Sequence, residues 1–250
     1  MKVRLLIPML LLLLLPACSR ARVKEYKVRV VKEYPHDPTS YTQGLFFQDG
    51  VLYESTGQWG ESTFRTVDLA TGEALTRMDF NRKYFVEGSV MLDGELFILT
   101  WTNKVAFRYD AATLKYKATS GYPREGWGLT TDGKQLIASD GSANLYFMDK
   151  SFRTERTVRV TMNGRPVNYL NELEWIDGKV WANVYTTDLI VIIDPRTGAV
   201  EATVDCTGLL PRSLRTPETD VLNGIAVNDG KIYLTGKYWK RLYEIERVAK

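Results

Sequence analysis

The chain has 250 residues, and its 33 Lys and Arg against 30 Asp and Glu leave a formal net charge of +3. A balance that even, with no basic run, argues against a nucleic-acid partner. One His and two Cys leave no cluster for a zinc site built from the usual N and S ligands.

The first four residues, Met1-Lys2-Val3-Arg4, carry positive charge and precede an apolar run over 5–15. That run is too short for a spanning helix, which needs about 20 apolar residues, and it reads as a secretory signal over 1–17. It ends Leu15-Pro16-Ala17-Cys18. Two readings fit. In one, the stretch is a lipobox and Cys18 becomes the lipidated first residue; in the other, an ordinary signal is cleaved near Ala17. The lipobox reading is preferred, because Cys is scarce and falls at the required position. With Ser19 next, it implies export, a lipid anchor in a membrane and a place in the bacterial cell envelope, at the outer membrane. Lipidation of Cys18 would leave Cys206 without a disulfide partner.

Residues 18–33 read as a short tether and a strand, and 34–250 as one domain. Over 23–34 the apolar positions alternate loosely, as in a strand. Pro35-His36-Asp37-Pro38 then reads as a loop, with His36 as a hydrogen-bonding residue rather than a catalyst.

Five hairpins follow. Their Asp-Gly turns begin at Asp49, Asp93, Asp132, Asp177 and Asp229, so the spacings are 44, 39, 45 and 52 residues. Asp-Gly between two short apolar runs predicts a tight hairpin, because such a turn needs positive φ. A third strand is expected at 63–68, 104–110, 144–149 and 188–194, and a fourth at segments such as 74–80 and 200–205. Self-similarity at this period, with strands and almost no helical pattern, predicts an all-β, five-bladed β-propeller of four-stranded blades. A solenoid is the rival, but gives no reason to stop at five. The strand over 23–34 is expected to close the last blade beside 241–248, which removes an exposed edge. The insert at 206–221 explains the longest spacing, and Cys206 reads as a structural thiol.

The repeat also predicts where polar residues converge. Six positions before each turn Asp (five in the third copy) stand Gln43, Glu87, Trp127, Asn171 and Asn223. Eight positions after it stand Gly57, Trp101, Asp140, Tyr185 and Lys237. Both sets fall at one end of the inner strands and would ring the axis. They differ in type over a scaffold that repeats, as expected of a grafted site; satisfied polar residues lining a watery channel are the alternative. The set lacks a Ser–His or Cys–His pair, which argues against nucleophilic acyl transfer. It suits a small polar group held between aromatic walls beside one carboxylate.

The segments Tyr41-Thr42-Gln43-Gly44-Leu45, Phe85-Val86-Glu87-Gly88, Leu99-Thr100-Trp101, Glu125-Gly126-Trp127-Gly128-Leu129, Leu170-Asn171-Glu172, Asn223-Gly224-Ile225 and Thr235-Gly236-Lys237-Tyr238-Trp239 resemble the plant and bacterial glutaminyl-peptide cyclotransferases. The resemblance runs from about residue 34 to 244. It implies a five-bladed propeller that converts the N-terminal glutamine of peptides or proteins to pyroglutamate with release of ammonia. It implies Glu87 as the central acid/base with Lys237 near the substrate; Lys237, or an amide or indole N–H, is expected to hold the oxygen as negative charge grows, which makes Lys237 the second catalytic candidate. Gln43, Phe85, Trp101, Trp127, Asp140, Asn171, Tyr185 and Asn223 are expected around the substrate. Two positions depart from the family pattern: Val86 stands where Gly is expected and Tyr185 where Trp is expected. The protein is expected to be a monomer that requires no cofactor. Carbonyl and carboxylate oxygens in the channel could hold a structural calcium, though no sequence loop specifies one. The competing reading is a non-catalytic propeller lipoprotein that binds a ligand or partner at the same face.

Overall fold

A computed structural model describes residues 22–250. The expected signal segment at 1–17 and Cys18 lie outside the described residues. Among the described residues there is no α-helix, only one 3-10 turn at Arg212–Leu214.

The strands run β1 (Lys24–Pro35), β2 (Thr42–Gln48), β3 (Val51–Thr56), β4 (Thr63–Val67), β5 (Ala74–Asp79), β6 (Val86–Leu92), β7 (Glu95–Thr100), β8 (Val105–Asp110), β9 (Tyr116–Gly121), β10 (Leu129–Thr131), β11 (Leu136–Ala138), β12 (Asn144–Met148) and β13 (Thr154–Arg159). A small hairpin, β14 (Thr161–Met162) and β15 (Arg165–Pro166), precedes β16 (Leu170–Ile176), β17 (Lys179–Val184), β18 (Leu189–Ile193), β19 (Val200–Asp205), β20 (Leu222–Asn228), β21 (Lys231–Gly236) and β22 (Arg241–Ala249).

Three four-stranded antiparallel sheets form in chain order: β2 to β5, β6 to β9 and β10 to β13. A fourth sheet has eight strands, ordered β16-β17-β18-β19-β1-β22-β21-β20. Strand β1 pairs antiparallel with β22, from Tyr26 opposite Ala249 to Pro35 opposite Arg241. It also pairs parallel with β19, Lys24 opposite Ala202 through Lys27 opposite Asp205. The sequence pattern predicts the first pairing and not the second. Strand β1 thus completes the last four-strand set and seams it to the preceding one.

Four of the five hairpins turn as expected, with positive φ at both residues of Asp49-Gly50, Asp93-Gly94, Asp177-Gly178 and Asp229-Gly230. The third differs. Only Gly133 has positive φ there, and the Asp132 carboxylate instead accepts the backbone N–H groups of Lys134 and Gln135. The turn is longer and its strands shorter, which shifts the phase of residues within that hairpin.

Five hydrophobic clusters each lie between consecutive sets. Phe46 and Phe64 of the first pack with Leu96 and Phe107 of the second. Val90 and Phe97 pack with Leu136 and Met148, and Ile137 and Phe147 with Val180 and Val191. Trp181 and Ile190 pack with Leu234 and Tyr243. The circle closes where Tyr34, Tyr233 and Leu242 pack on Leu45 and Leu52. The insert at 206–221 joins one of these clusters through buried Cys206, Leu209 and Leu210. Burial pushes the Cys206 thiol far above its ordinary pKa, so it is inert as a nucleophile at neutral pH.

Candidate active site

The first strand of each set touches the first strands of its neighbours, so β2, β6, β10, β16 and β20 form a closed ring. At one end of this ring the pairing breaks. The β2–β3 register slips between Thr42 and Gly44, β6–β7 between Val86 and Ser89, β16–β17 between Leu170 and Leu173, and β20–β21 between Leu222 and Ile225. Gln43, Glu87, Asn171 and Asn223 each sit inside one of these bulges. A bulge frees a residue from the ladder and re-aims its side chain. Gly88 shows why a small residue follows Glu87: a Cβ there would lie 2.4 Å from the backbone nitrogen of Leu129 on the adjacent strand.

The second series is held to the first by the same backbone bond four times. The N–H groups of Gly57, Trp101, Tyr185 and Lys237 donate to the carbonyls of Tyr41, Phe85, Tyr169 and Val221, at 2.8, 3.0, 2.8 and 2.9 Å. Each acceptor lies two residues before the bulge residue of its own set.

A cavity of about 320 Å³ opens at this end, lined by Tyr41, Gln43, Gln58, Trp59, Phe85, Glu87, Trp101, Trp127, Asn171, Tyr185 and Lys237. Glu87 is 3 % exposed. Burial holds its carboxyl well above the ordinary carboxylate range; Lys237 and Gln43 pull it back in part, and Glu125 adds to the rise. Lys237 is buried too, and burial lowers its pKa to about 8, against the opposite pull of Glu87 and Asp220. Its Nζ donates to Gln43 Oε1 at 2.5 Å and stands 4.0 Å from the centroid of the Tyr41 ring and 5.5 Å from that of Tyr185. Facing aromatic rings stabilise a cation where water is scarce. Tyr185 therefore both forms a wall and contacts the ammonium group.

The other walls are aromatic pairs: Phe85 against Trp101 at 5.4 Å, and Trp127 against Tyr185 at 5.5 Å. Asn171 Oδ1 is buried without a partner, an acceptor with its hydrogen bond unmade.

Eight of the ten residues expected around the substrate line this cavity; Asp140 and Asn223 do not. Asp140 caps its own turn, accepting from Ser142 N and Oγ and from the Tyr146 hydroxyl. Gly57, Trp101, Tyr185 and Lys237 each directly follow the end of their strand, whereas Asp140 lies two residues beyond the end of β11. Asn223 is fully buried behind the wall. Its Nδ2 donates to Thr42 O at 2.8 Å and to Gln43 Oε1 at 3.2 Å, so it positions Gln43.

Sequence reasoning missed Tyr41, Gln58, Trp59 and Glu125. Glu125 Oε2 accepts the indole N–H of both Trp101 and Trp127, at 2.9 and 3.1 Å, and so sets the angle between two walls. It lies two residues before Trp127, as Tyr41 and Phe85 lie two before Gln43 and Glu87. That phase was readable.

Behind the site the axis is plugged by Glu172 and Glu174 of β16. Glu172 accepts the backbone N–H groups of Leu45 (3.4 Å) and Ile225 (2.8 Å), two residues beyond Gln43 and Asn223. Glu174 accepts that of Val227. Burial raises both carboxyls, Glu172 well above the ordinary range and Glu174 to about 8. Burial thus favours the uncharged form of both, and the stability this confers declines as pH rises toward the folded values. Among the described residues, no group of three or more His, Cys, Asp or Glu stands together so as to hold a metal ion.

The sequence model of the glutamine cyclotransferase family matches residues 4–247. A curated glutaminyl-peptide cyclotransferase from Arabidopsis thaliana is 42 % identical over 229 residues, which is 88 % of this chain and 71 % of the plant protein. The crystal structure of Myxococcus xanthus glutaminyl cyclase superposes with a TM-score of 0.85 at 34 % identity, covering 92 % of this chain and all of that one. BamB from Moraxella catarrhalis, at 11 % identity and a TM-score of 0.50 over 88 % of this chain, is similar in fold alone. The chain belongs to the glutamine cyclotransferase family.

Proposed function

We propose that the protein is a glutaminyl-peptide cyclotransferase built as a five-bladed β-propeller, which closes the N-terminal glutamine of a peptide onto itself and releases ammonia. The observation that carries the reading is a buried carboxyl and a buried ammonium, Glu87 and Lys237, in one aromatic-walled cavity, each with its pKa displaced toward neutrality. The five cores that alternate with the strand sets around a ring of inner strands support the propeller.

In this account the substrate's α-amine nitrogen attacks the δ-carbon of its own side-chain carboxamide. A C–N bond forms to give the five-membered lactam, and the bond to NH₂ breaks. The amine gives up one proton, the leaving group gains one, and Glu87 relays it. A carboxyl with a raised pKa suits both halves of that transfer. Lys237 holds the carbonyl oxygen as negative charge grows on it, and Gln43 fixes Lys237. Asn171 Oδ1 accepts an N–H of the substrate. Phe85, Trp101 and Trp127 fold the glutamine into its attack geometry and keep out water, which would otherwise hydrolyse the amide.

The test is the pH profile of kcat/KM for ammonia release. A free α-amine titrates near 8, so activity rises with pH up to that region. Lys237 loses its charge above about 8, so activity falls again. A bell centred near pH 8 is expected. A profile that stays flat from about pH 8 to about pH 10, where an ordinary lysine is still charged, contradicts the role given to Lys237.

We also propose that the chain is exported and anchored through a lipid on Cys18, on the strength of the apolar run and Leu15-Pro16-Ala17-Cys18. The full chain should partition into detergent with the membrane fraction and the Cys18→Ala chain should not; equal partitioning of the two contradicts the anchor.

A further inference from the structure

The segment Gly57-Gln58-Trp59 at the mouth of the cavity has no part in the chemistry above, yet it is held firmly in a costly conformation. Gln58 has φ +100°, a region that residues with a Cβ rarely enter unless their surroundings enforce it. The surroundings do enforce it. Gly57 N donates to Tyr41 O at 2.8 Å. Ser62 Oγ donates to Gln58 O at 2.7 Å and itself accepts the N–H of Val86 at 3.0 Å. One hydroxyl therefore ties the segment to the residue beside Glu87. Gly57 can be nothing larger, since a Cβ would lie 2.3 Å from the Phe85 ring.

The segment ends in Trp59, which leans edge-on against Phe85 at 5.7 Å and is 48 % exposed. Of the cavity's lining residues it alone is an exposed large apolar side chain. Exposed aromatics in contact with a buried cavity commonly mark where a ligand continues beyond it. A glutamine seated with its amine and carboxamide at Glu87 must send its peptide chain outward, past this rim.

We infer that Gln58 and Trp59 form the subsite for the second residue of the peptide. Trp59 packs on that residue's side chain and Gln58 lies along the first peptide bond, so peptides with an aromatic or large apolar second residue are favoured. The inference rests on the cyclotransferase reading and extends it to the choice of peptide. The rigid mounting gives the subsite its selectivity: an indole held in place loses little freedom when a ring packs on it.

The experiment measures kcat/KM for ammonia release from Gln-Phe amide and Gln-Gly amide, using the full chain, its Trp59→Ala variant and its Trp59→Phe variant. One aromatic pair of ordinary strength corresponds to roughly a fivefold preference. The native chain is expected to favour Gln-Phe amide by about that factor. Trp59→Ala should bring the ratio close to one, and Trp59→Phe should keep most of it. Ammonia release with no preference in the native chain, or a preference that survives in Trp59→Ala, overturns the subsite and leaves the cyclotransferase reading standing. No ammonia from either peptide with the native chain overturns that reading, and the subsite with it.

Discussion

Replacing Glu87 by Gln lowers kcat for pyroglutamate formation by about 10²–10⁴-fold, the range that a positioned acid/base contributes. The change removes the proton relay and little else. Glu87 is 3 % exposed and burial favours its uncharged form, so an uncharged amide of the same shape takes its place. The loss should lie in kcat, with KM near its native value, because the walls and Lys237 remain. Stability should be unchanged at acid pH and slightly higher at alkaline pH. A carboxyl with a raised folded pKa stabilises below its unfolded value near 4.3 and loses that contribution as pH rises through the folded value; the amide has nothing to lose. Rate measurements on a variant with the native circular dichroism spectrum check this. A variant that retains a tenth of native kcat would remove Glu87 from the chemistry.

The second large effect is on stability, in a buried network under the site. Glu54 is fully buried. Its Oε2 accepts from Arg65 Nε and Nη2 at 3.0 and 2.7 Å, and its Oε1 from Thr42 Oγ1 at 2.6 Å, with His36 Nε2 3.1 Å away. Arg65 also reaches Asp37 and Ser40. Burial opposes charge on Glu54, but Arg65 and His36 outweigh it and hold the carboxyl far below its ordinary range. Burial likewise opposes charge on His36, and Glu54 outweighs it, raising the imidazole pKa. Arg65→Leu leaves the buried carboxylate with only the imidazole and the Thr42 hydroxyl and should cost about 3–5 kcal/mol. That is a fall in melting temperature on the order of 10 °C for a domain of this size. Arg65→Leu combined with Glu54→Gln should recover much of the loss, since no buried charge is stranded. Calorimetry of the three proteins checks it; a loss under about 1 kcal/mol would mean that water reaches the network. The pH signs are opposite for the two partners. The contribution of Glu54 is lost as pH falls through its low folded value, and that of His36 as pH rises through its raised one. The network also reaches the chemistry: Thr42 precedes Gln43, and His36 Nδ1 lies 2.7 Å from the carbonyl of Trp239, two residues beyond Lys237.

Much of this was legible in the sequence, because the repeat made phase a measurable quantity. Asp-Gly turns located the hairpins, and counting from them found Glu87, Trp101, Asn171, Tyr185 and Lys237 without any contact information. The same count failed at Asp140 for a physical reason. It assumed a two-residue turn, and the third turn is longer, so the residue at that phase is a turn cap. Asn223 failed differently. Phase gives the level along the axis, but its amide bonds Thr42 and Gln43 instead of facing the cavity. The bulges that aim the side chains carried no signal, since a ladder slip depends on both strands. The parallel seam of β1 with β19 was also beyond reach, because alternation on one strand says nothing about its second neighbour. Trp59 and Gln58 lie just past the end of β3, in a loop whose shape depends on Ser62 and Phe85.

The central claim is that this cavity closes glutamine onto its own amine, and the most direct measurement is product identity. The protein is incubated with Gln-Ala amide and with its N-acetylated form, and ammonia and pyroglutamyl peptide are quantified together. The account predicts one ammonia per pyroglutamyl peptide from the free amine and nothing from the acetylated peptide, whose nitrogen cannot attack. A folded protein that binds Gln-Ala amide and returns it unchanged would contradict the account and identify the cavity as a binding site alone.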